Sequence, residues 1–159
     1  MFQQTIGIVG AGIVGLATAY ALLLEGNRHV TVLEQETVDH RRGTSHGISR
    51  LLRFEYGDNA FYSEMVRLSL KRWRALEQYT QRRLYTRTGL LTLGTAEDQF
   101  VLPSYTILRE MGLPTERLTL QDCQQRFPQF APCTYDLATY NAEAGILHAS
   151  SCLQALKKL

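Results

Sequence analysis

Apolar residues in the first 34 positions come in short runs that are separated by glycine-rich or polar breaks. Thr5–Val9 has the pattern of a short, fully buried strand, and Ala11–Leu24 has that of a helix. Gly26 and Asn27 are stop signals for this helix, and His29–Glu34 is predicted to form a second strand. A strand, a helix and a strand in this order predict a parallel strand pair with a right-handed crossover.

The uncharged run from Gly7 to Leu24 is long enough to cross a membrane. Its first half, however, contains glycines at positions 7, 10, 12 and 15, which make a poor helix. No positive residue precedes the run and no small-residue cleavage site follows it, so a leader peptide is not indicated either. We therefore expect a strand, a glycine turn and a helix, and no membrane segment.

A polar loop over residues 35–49 and a long helix over Ala60–Tyr79, capped by Asp58 or Asn59, are predicted next. Helical spacing assigns one buried face to Phe61, Met65, Ser69, Trp73 and Leu76. A basic cluster opposed only by Glu77 covers the other face and the residues beyond it: Arg67, Lys71, Arg72, Arg74, Arg82, Arg83 and Arg87. A solvated helix face is the simpler interpretation of this basic cluster, and a surface for nucleic acid or another anionic partner is the alternative.

The second half of the chain has the pattern of short strands and helices. Leu84–Thr86 and Leu90–Leu93 predict a hairpin that turns near Thr88-Gly89. Glu97–Met111 is predicted to be helical in part, with Pro103 interrupting it. The remaining predictions are a helix over Thr119–Phe127 with Thr119 as its cap, strands over Leu137–Asn141 and Gly145–His148, and a last helix over Cys152–Lys158 capped by Ser150 or Ser151.

Composition places this chain of 159 residues among ordinary globular proteins, with 45% apolar and 20% charged residues. A net charge of +2 is too small to indicate nucleic acid as a partner. The cysteines at 123, 133 and 152 have no CxxC spacing, so we expect neither a metal site nor a disulfide framework. The odd cysteine count and the lack of a signal peptide favour a reducing, cytoplasmic location.

The strongest functional signal is the glycine motif Gly10-Ala11-Gly12-Ile13-Val14-Gly15, between a predicted strand and a predicted helix. The first glycine permits a tight turn, the second lets a pyrophosphate approach the backbone, and the third lets helix and strand pack closely. The helix N-terminus offers free N–H groups to the phosphates. Glu34 ends the second strand, where it can bind both ribose hydroxyls of an adenosine and repel a 2′-phosphate. The motif therefore argues against NADP and leaves both NAD and FAD open.

A second signal is the segment Gly43-Thr44-Ser45-His46-Gly47-Ile48-Ser49-Arg50, with Arg53 three residues later. Its backbone amides and hydroxyls can reach a second part of a long cofactor. If a helix begins here, Arg50 and Arg53 share one face, where they suit an anionic reduced ring or a substrate carboxylate. The alternative is that both arginines form surface ion pairs, and His46 taken alone is more typical of a structural role.

These motifs carry a family resemblance. Ile6–Glu34 resembles the dinucleotide fingerprint of the glutathione-reductase-type FAD enzymes. The segment from Gly43 to Arg53, followed by Tyr56-Gly57, resembles the monomeric sarcosine oxidase and N-methyltryptophan oxidase family, which belongs to the D-amino-acid-oxidase-like FAD oxidoreductases. The runs Thr86–Gly94, Arg126-Phe127-Pro128 and Gly145-Ile146-Leu147 agree, so the resemblance covers essentially the whole chain.

The resemblance implies an α/β fold with a Rossmann-like, glutathione-reductase-type FAD-binding domain in residues 1–84 and 149–159. Residues 85–148 would be part of an antiparallel substrate domain. His46, Arg50 and Arg53 would be the catalytic residues, with Arg53 paired to the carboxylate of an amino-acid substrate, and none of Cys123, Cys133 and Cys152 lies where a covalent flavin link would be expected. The residues implied to hold FAD are Gly10, Gly12, Ile13, Val14, Gly15, Glu34, Gln35, Thr44, Ser45, His46, Ser49 and Arg50.

The implied reaction is oxidation of a secondary or primary amine of a small, sarcosine-like amino acid to an imine, with O2 reduced to hydrogen peroxide, so the expected partners are a small amine substrate and O2 rather than nucleic acid or a membrane. Members of the family are much longer than this chain, so it is expected to be an N-terminal portion that is inactive alone and able to self-associate. An NAD-linked dehydrogenase and a non-catalytic nucleotide- or anion-binding module are the alternatives.

Overall fold

The computed structural model describes residues 5–130 and 135–159 and divides the chain into two compact units. The first unit combines the chain up to Arg50 with Ala75–Leu84 and Leu147–Leu159. The second unit combines Leu51–Arg74 with Tyr85–Ile146. The division expected from the sequence, at residues 84 and 148, therefore differs for Leu51–Arg74, which belongs to the second unit.

The first unit begins with strand β1 (Ile6–Val9), helix α1 (Ile13–Leu24) and strand β2 (Val30–Leu33). The two strands pair in parallel, with Ile6 opposite Val30 and Val9 opposite Leu33, which confirms the predicted strand–helix–strand unit. The prediction that β1 is fully buried is wrong, because half-buried and exposed residues alternate along it and Val9 is 88% exposed. Among the described residues, one face of this pair has no covering layer.

Helix α1 stops where the sequence indicates. Gly26 adopts a φ of +88°, and the backbone N–H and side-chain amide of Asn27 both donate to the carbonyl of Leu22. In the part of the chain that the structure describes, neither α1 nor any other helix is both long and apolar enough to span a bilayer.

Helix α5 (Ala149–Lys157) packs against α1 and completes the first unit. It begins three residues before the predicted start, and His148 is its N-cap residue, so the predicted cap at Ser150 or Ser151 is wrong. Both serines lie in the first turn of α5. The buried face of this helix already starts at Ala149, so the helix begins before either serine.

Helix α2 (Ala60–Thr80) confirms the predicted long helix, but its buried face is rotated. Ser63, Leu70 and Leu76 are buried, whereas Phe61 is 68% exposed and Met65 is 50% exposed. Spacing alone could not identify this face, because it includes a serine whose hydroxyl donates to the buried carbonyl of Phe54 at 2.7 Å.

Two three-stranded sheets, with orders β3-β8-β4 and β5-β7-β6, follow from the remaining strands. Strands β5 and β6 each pair antiparallel with β7. The predicted hairpin is wrong, because β4 and β5 lie in different sheets, although Gly89 between them does turn the chain with a φ of +72°. The strands are β3 (Arg50–Leu52), β4 (Tyr85–Arg87), β5 (Leu90–Gly94), β6 (Thr115–Leu118), β7 (Leu137–Asn141) and β8 (Gly145–Leu147).

Two short helices pack in the second unit. Pro103 does not interrupt α3 (Val101–Glu110), because it occupies the first turn, where a backbone N–H has no acceptor within the helix. Helix α4 (Leu120–Arg126) has Thr119 as its N-cap, with the hydroxyl accepting from the N–H of Asp122 at 3.0 Å, as predicted.

Candidate functional site

The glycine turn between β1 and α1 has the geometry that its sequence predicts. Gly10 has a φ of +97°, which favours glycine, and its N–H donates to the carbonyl of Leu33 at 2.7 Å. A Cβ atom at Gly15 would lie 1.9 Å from the carbonyl oxygen of Gly10, so only glycine fits there. The turn thus joins the end of β1, the start of α1 and the end of β2 within the first unit.

Glu34 reaches back to this turn from the end of β2. Its Oε2 accepts from the N–H of Ala11 at 2.7 Å, and its Oε1 accepts from the N–H of Glu36 at 3.1 Å. The carboxylate therefore braces the glycine turn directly. A carboxylate has further lone pairs for a ribose hydroxyl, so bracing the turn and binding a ligand are compatible.

Ser45 connects the polar loop to the start of α1. Its hydroxyl oxygen accepts from the N–H of Ile13 at 3.0 Å, and a Cβ atom at Gly12 would lie 3.2 Å from it. Gly12 is the N-cap residue of α1 and provides no side-chain cap, so the loop hydroxyl satisfies one of the free N–H groups of the helix. The two sequence signals, the glycine motif and the polar loop, therefore meet at one helix N-terminus.

A cavity of about 230 Å³ lies between these groups. It presents hydroxyls, two carboxylates, imidazoles and a helix N-terminus, which suit the phosphate and ribose parts of a dinucleotide better than an apolar ligand. The Nδ1 of His40 is buried and has no hydrogen-bond partner among the described residues. The cavity is lined by Ala11, Gly12, Glu34, Asp39, His40, Gly43, Thr44, Ser45, His46 and Leu153.

The sequence motifs did not identify Asp39 and His40 as cavity residues, although their place in the polar loop beside the glycine-rich segment was a usable signal. Conversely, seven of the twelve residues assigned to the cofactor are not among those that line the cavity, namely Gly10, Ile13, Val14, Gly15, Gln35, Ser49 and Arg50. Val14 is 76% exposed on α1, and Gln35 and Ser49 are exposed in the loop.

Arg50 holds the loop closed through its guanidinium group. Its N–H groups donate to the carbonyls of Thr44 at 2.7 Å, His46 at 2.9 Å and Ser49 at 2.9 Å. The expectation that a helix begins here is wrong, because Arg50 starts strand β3, and the argument that Arg50 and Arg53 share a helix face fails with it. The guanidinium of Arg50 thereby ties the start of β3 to the carbonyls of the loop that precedes it.

The N-terminus of α5 anchors the same loop from the other side. The N–H of Ala149 donates to the carbonyl of Ile48 at 3.1 Å. The N–H and hydroxyl of Ser150 both donate to the carbonyl of Gly47, at 3.1 and 3.0 Å. Residues from distant parts of the sequence therefore fix the loop that follows β2.

Arg53 belongs to the second unit and lies against two aromatic rings. Its Cζ is 4.8 Å from the ring centroid of Tyr56 and 5.4 Å from that of Phe100. No carboxylate among the described residues forms an ion pair with it, so the alternative of a surface ion pair does not hold for Arg53 there. Its planar N–H groups are available to a ligand.

The basic cluster on α2 and beyond it is neutralised more than the sequence suggested. Arg67 forms an ion pair with Glu64, and Arg74 and Arg87 both form ion pairs with Glu143. The expectation that only Glu77 opposes the cluster is therefore wrong, because acidic residues from other positions fold against it. This pairing weakens the case for an anion-binding surface.

Two cysteine thiols of the described residues are buried. Cys123 and Cys152 are both free and buried, and burial raises the pKa of Cys152 to about 12. Cys133 lies outside the described residues. Neither described thiol is therefore prepared to act as a nucleophile.

Comparison with known proteins gives relatives over nearly the whole chain. This chain is 34% identical to the mouse peroxisomal sarcosine oxidase over 152 residues, which is 96% of this chain and 38% of the relative. It is 29% identical to the monomeric sarcosine oxidase of Bacillus sp. (strain B-0618), covering 96% of this chain and 39% of that one. The chain thus spans less than two fifths of the length of these relatives.

A solved structure has a similar fold. NikD, described as an unusual amino acid oxidase essential for nikkomycin biosynthesis, superposes with a TM-score of 0.77 at 28% identity. The match covers 96% of this chain and 39% of NikD. The family profile described as FAD dependent oxidoreductase, DAO, matches residues 5–159. With its mixed α/β architecture and its glycine turn, acid and polar loop in one cavity, the chain belongs to this family of FAD-dependent oxidoreductases.

Proposed function

We propose that this chain is the FAD-binding part, with some of the substrate domain, of an oxidase acting on amino acids. The reaction would convert the secondary or primary amine of a small, sarcosine-like amino acid to an imine, with O2 reduced to hydrogen peroxide. Sarcosine oxidases among the relatives support this substrate class. The first unit would be the Rossmann-like, glutathione-reductase-type portion.

The observation that carries the proposal is the meeting of three features in one cavity of the first unit. Gly10 and Gly15 shape the turn, Ser45 contacts the N-terminus of α1, and Glu34 holds the Ala11 amide. Residues of this kind fit a pyrophosphate and an adenosine ribose. When bound, the flavin would supply the redox chemistry by taking two electrons from the amine substrate.

The residues of the chain have binding and orienting roles in this proposal. The backbone amides of Gly12, Val14 and Gly15 and the hydroxyls of Thr44 and Ser45 hold the phosphates, whereas the amide of Ile13 donates to the Ser45 hydroxyl. Glu34 holds the ribose of the adenosine, and His46 and Arg50 lie in the loop that would follow the cofactor toward its ring. Arg53, which has no carboxylate partner among the described residues, holds the substrate carboxylate through two N–H groups.

The first prediction tests Glu34 as the ribose-binding residue. A hydrogen bond to a charged group is worth about 1.5–3 kcal/mol, so Glu34→Ala should weaken FAD binding roughly ten- to a hundredfold. Glu34→Gln keeps an oxygen for the Ala11 amide and removes the charge, so its loss should be smaller. Titration of the chain with FAD, followed by flavin fluorescence, gives the dissociation constants.

Glu25→Gln is the control, since Glu25 follows α1 and does not line the cavity. Its FAD affinity should equal that of the wild type. A chain that binds NADH but not FAD would favour the dehydrogenase alternative. Equal FAD affinity in the wild type and in Glu34→Ala would contradict the assignment of the ribose to Glu34.

A further inference from the structure

Asp39 and His46 form a side-chain pair inside the polar loop that no sequence motif indicates. The Oδ1 of Asp39 lies 2.8 Å from the Nδ1 of His46, and the backbone carbonyl oxygen of Asp39 lies 3.0 Å from the same nitrogen. The side chain of Asp39 is 14% exposed and that of His46 is 36% exposed. One residue therefore offers two acceptors to a single ring nitrogen.

This arrangement assigns the proton on the imidazole. A carbonyl oxygen can only accept a hydrogen bond, so the Nδ1 of His46 carries a proton in this pair. No hydrogen bond to the Nε2 occurs among the described residues. His46 also lines the 230 Å³ cavity, so Nε2 is the ring nitrogen left for a ligand there.

The backbone on both sides of the pair is held in place. Asp39 has a φ of +69°, a conformation that is unfavourable for residues with a side chain, although aspartate tolerates it better than most. The N–H of His46 donates to the carbonyl of Gly43 at 3.0 Å, and its carbonyl accepts from Arg50 at 2.9 Å. Strained backbone persists where the surroundings hold it, and such positions cluster at functional sites.

We propose that Asp39 is a positioning residue that holds the His46 imidazole in its Nδ1-protonated form and leaves Nε2 for the bound cofactor. The identity of that ligand rests on the proposed function. Because Nδ1 keeps its proton throughout, Nε2 accepts a hydrogen bond when the ring is neutral and donates one when the ring is charged. Asp39 thereby decides which atom of His46 meets the ligand.

The tautomer of His46 tests this proposal without any cofactor. In the 159-residue chain labelled with ¹⁵N-histidine, the signals of His46 are assigned by their loss in His46→Gln. At a pH where the ring is neutral, we expect a protonated Nδ1 and an unprotonated Nε2. Asp39→Gly tolerates the positive φ and keeps the backbone carbonyl, but it removes the charged acceptor at 2.8 Å, so the fraction of the Nε2-protonated form should rise without becoming complete. Glu36→Gln, which breaks the neighbouring ion pair with Arg42, should leave the tautomer unchanged.

An Nε2-protonated His46 in the wild type, or an unchanged tautomer in Asp39→Gly, would overturn the proposal. FAD affinity is the second readout. Asp39→Gly should weaken FAD binding roughly tenfold, and it should add no further loss in the His46→Gln background, because it acts through His46. Equal losses in both backgrounds would also overturn it. A chain that binds no FAD in any variant contradicts the proposed function, and the tautomer alone then decides the role of Asp39.

Discussion

Two ionisable side chains of the second unit, Arg53 and Glu55, lie in different surroundings. The guanidinium of Arg53 stacks near Tyr56 and Phe100, which stabilises a cation by roughly 0.5–1 kcal/mol without using its N–H groups. The carboxyl group of Glu55 is 3% exposed and accepts from the N–H of Phe54 at 3.0 Å. Arg53 is thus left able to bind an anion, whereas Glu55 is buried away from solvent.

Under the proposed function, substitution of Arg53 should affect oxidation of amines that carry a carboxylate more than oxidation of amines that lack one. Arg53→Ala should raise KM for amines that carry a carboxylate and have less effect on amines without one, since only the former lose the two-point contact. Arg53→Lys should rescue little, because an ammonium group lacks the planar fork. Arg72→Ala, on exposed α2 surface, is the matched control. Steady-state kinetics with both amine classes would count against the assignment if KM rose equally for both.

Glu55 should make stability depend on pH. Burial raises the pKa of Glu55 above its ordinary value of 4.5, against the opposing effects of backbone hydrogen bonds, the amide of Asn141 and the charge of Arg53. As pH rises from about 4.5 through the folded-state pKa, the unfolded chain releases this proton first, so the free energy of unfolding falls. Glu55→Gln cannot ionise, and its stability relative to the wild type should therefore increase between pH 4 and pH 7.

Glu64→Gln provides a control of opposite sign. The hydrogen bond and charge of Arg67 hold the pKa of Glu64 below its ordinary value, so its contribution is present at neutral pH and lost as pH falls through the folded-state pKa. Glu64→Gln should thus lose stability relative to the wild type at pH 7 rather than gain it. Urea unfolding at both pH values measures the two differences, and the same sign for both variants would refute this account.

At the scale of secondary-structure elements, the close contact between α1 and the end of β1 is the most constrained feature. A Cβ atom at Gly15 would meet the carbonyl oxygen of Gly10 at 1.9 Å, and that atom belongs to the backbone. At Gly7, in β1, no atom lies within 4 Å of the corresponding Cβ position. Two glycines eight residues apart therefore differ completely in what they tolerate.

Gly15→Ala should destabilise the chain by about 1–3 kcal/mol or more, because the helix must move away from the turn. It should also reduce FAD binding. Gly7→Ala should be neutral or stabilise by about 0.5–1 kcal/mol, since alanine loses less conformational entropy than glycine in a strand. Thermal unfolding of both variants measures the difference, and a tolerated Gly15→Ala would show that the turn is less tightly packed than described.

The elements that the sequence predicted correctly are those set by neighbouring residues. The glycine turn, the stop at Gly26 and the cap at Thr119 all follow from local backbone requirements. The hairpin failed because β4 and β5 take partners from β8 and β7, more than forty residues away. The Asp39–His46 pair was equally hidden, because the path of a loop between its ends depends on contacts with α1 and α5.

At the scale of the whole chain, the parallel strand pair in the first unit exposes apolar side chains that can promote self-association. Parallel sheets are normally covered on both faces, yet Val9 is 88% exposed and Leu33 is 57% exposed. Both strands also have an unpaired edge among the described residues. Exposed apolar strands with free edges favour association with another copy.

We therefore expect the isolated chain to self-associate as its concentration rises. Replacing Val9 and Leu33 together by threonine should reduce this association, because threonine retains a high strand propensity and is less apolar than valine or leucine. Leu102→Gln, on α3 of the second unit, removes an exposed apolar residue elsewhere and should have little effect. Sedimentation velocity at several concentrations measures the change, and a wild-type chain that stays monomeric throughout would refute the expectation.

The chain passes from one compact unit to the other four times, and this has a consequence for its synthesis. The amides of Ala149 and Ser150 that hold Ile48 and Gly47 are made about a hundred residues after that loop. At about 5–20 residues per second on the ribosome, the loop waits roughly 5–20 seconds for them. During that interval the nascent chain carries its glycine turn and its polar loop without α5, the helix that anchors the loop. Until α5 is made, the unanchored loop is therefore exposed to chaperones and to aggregation.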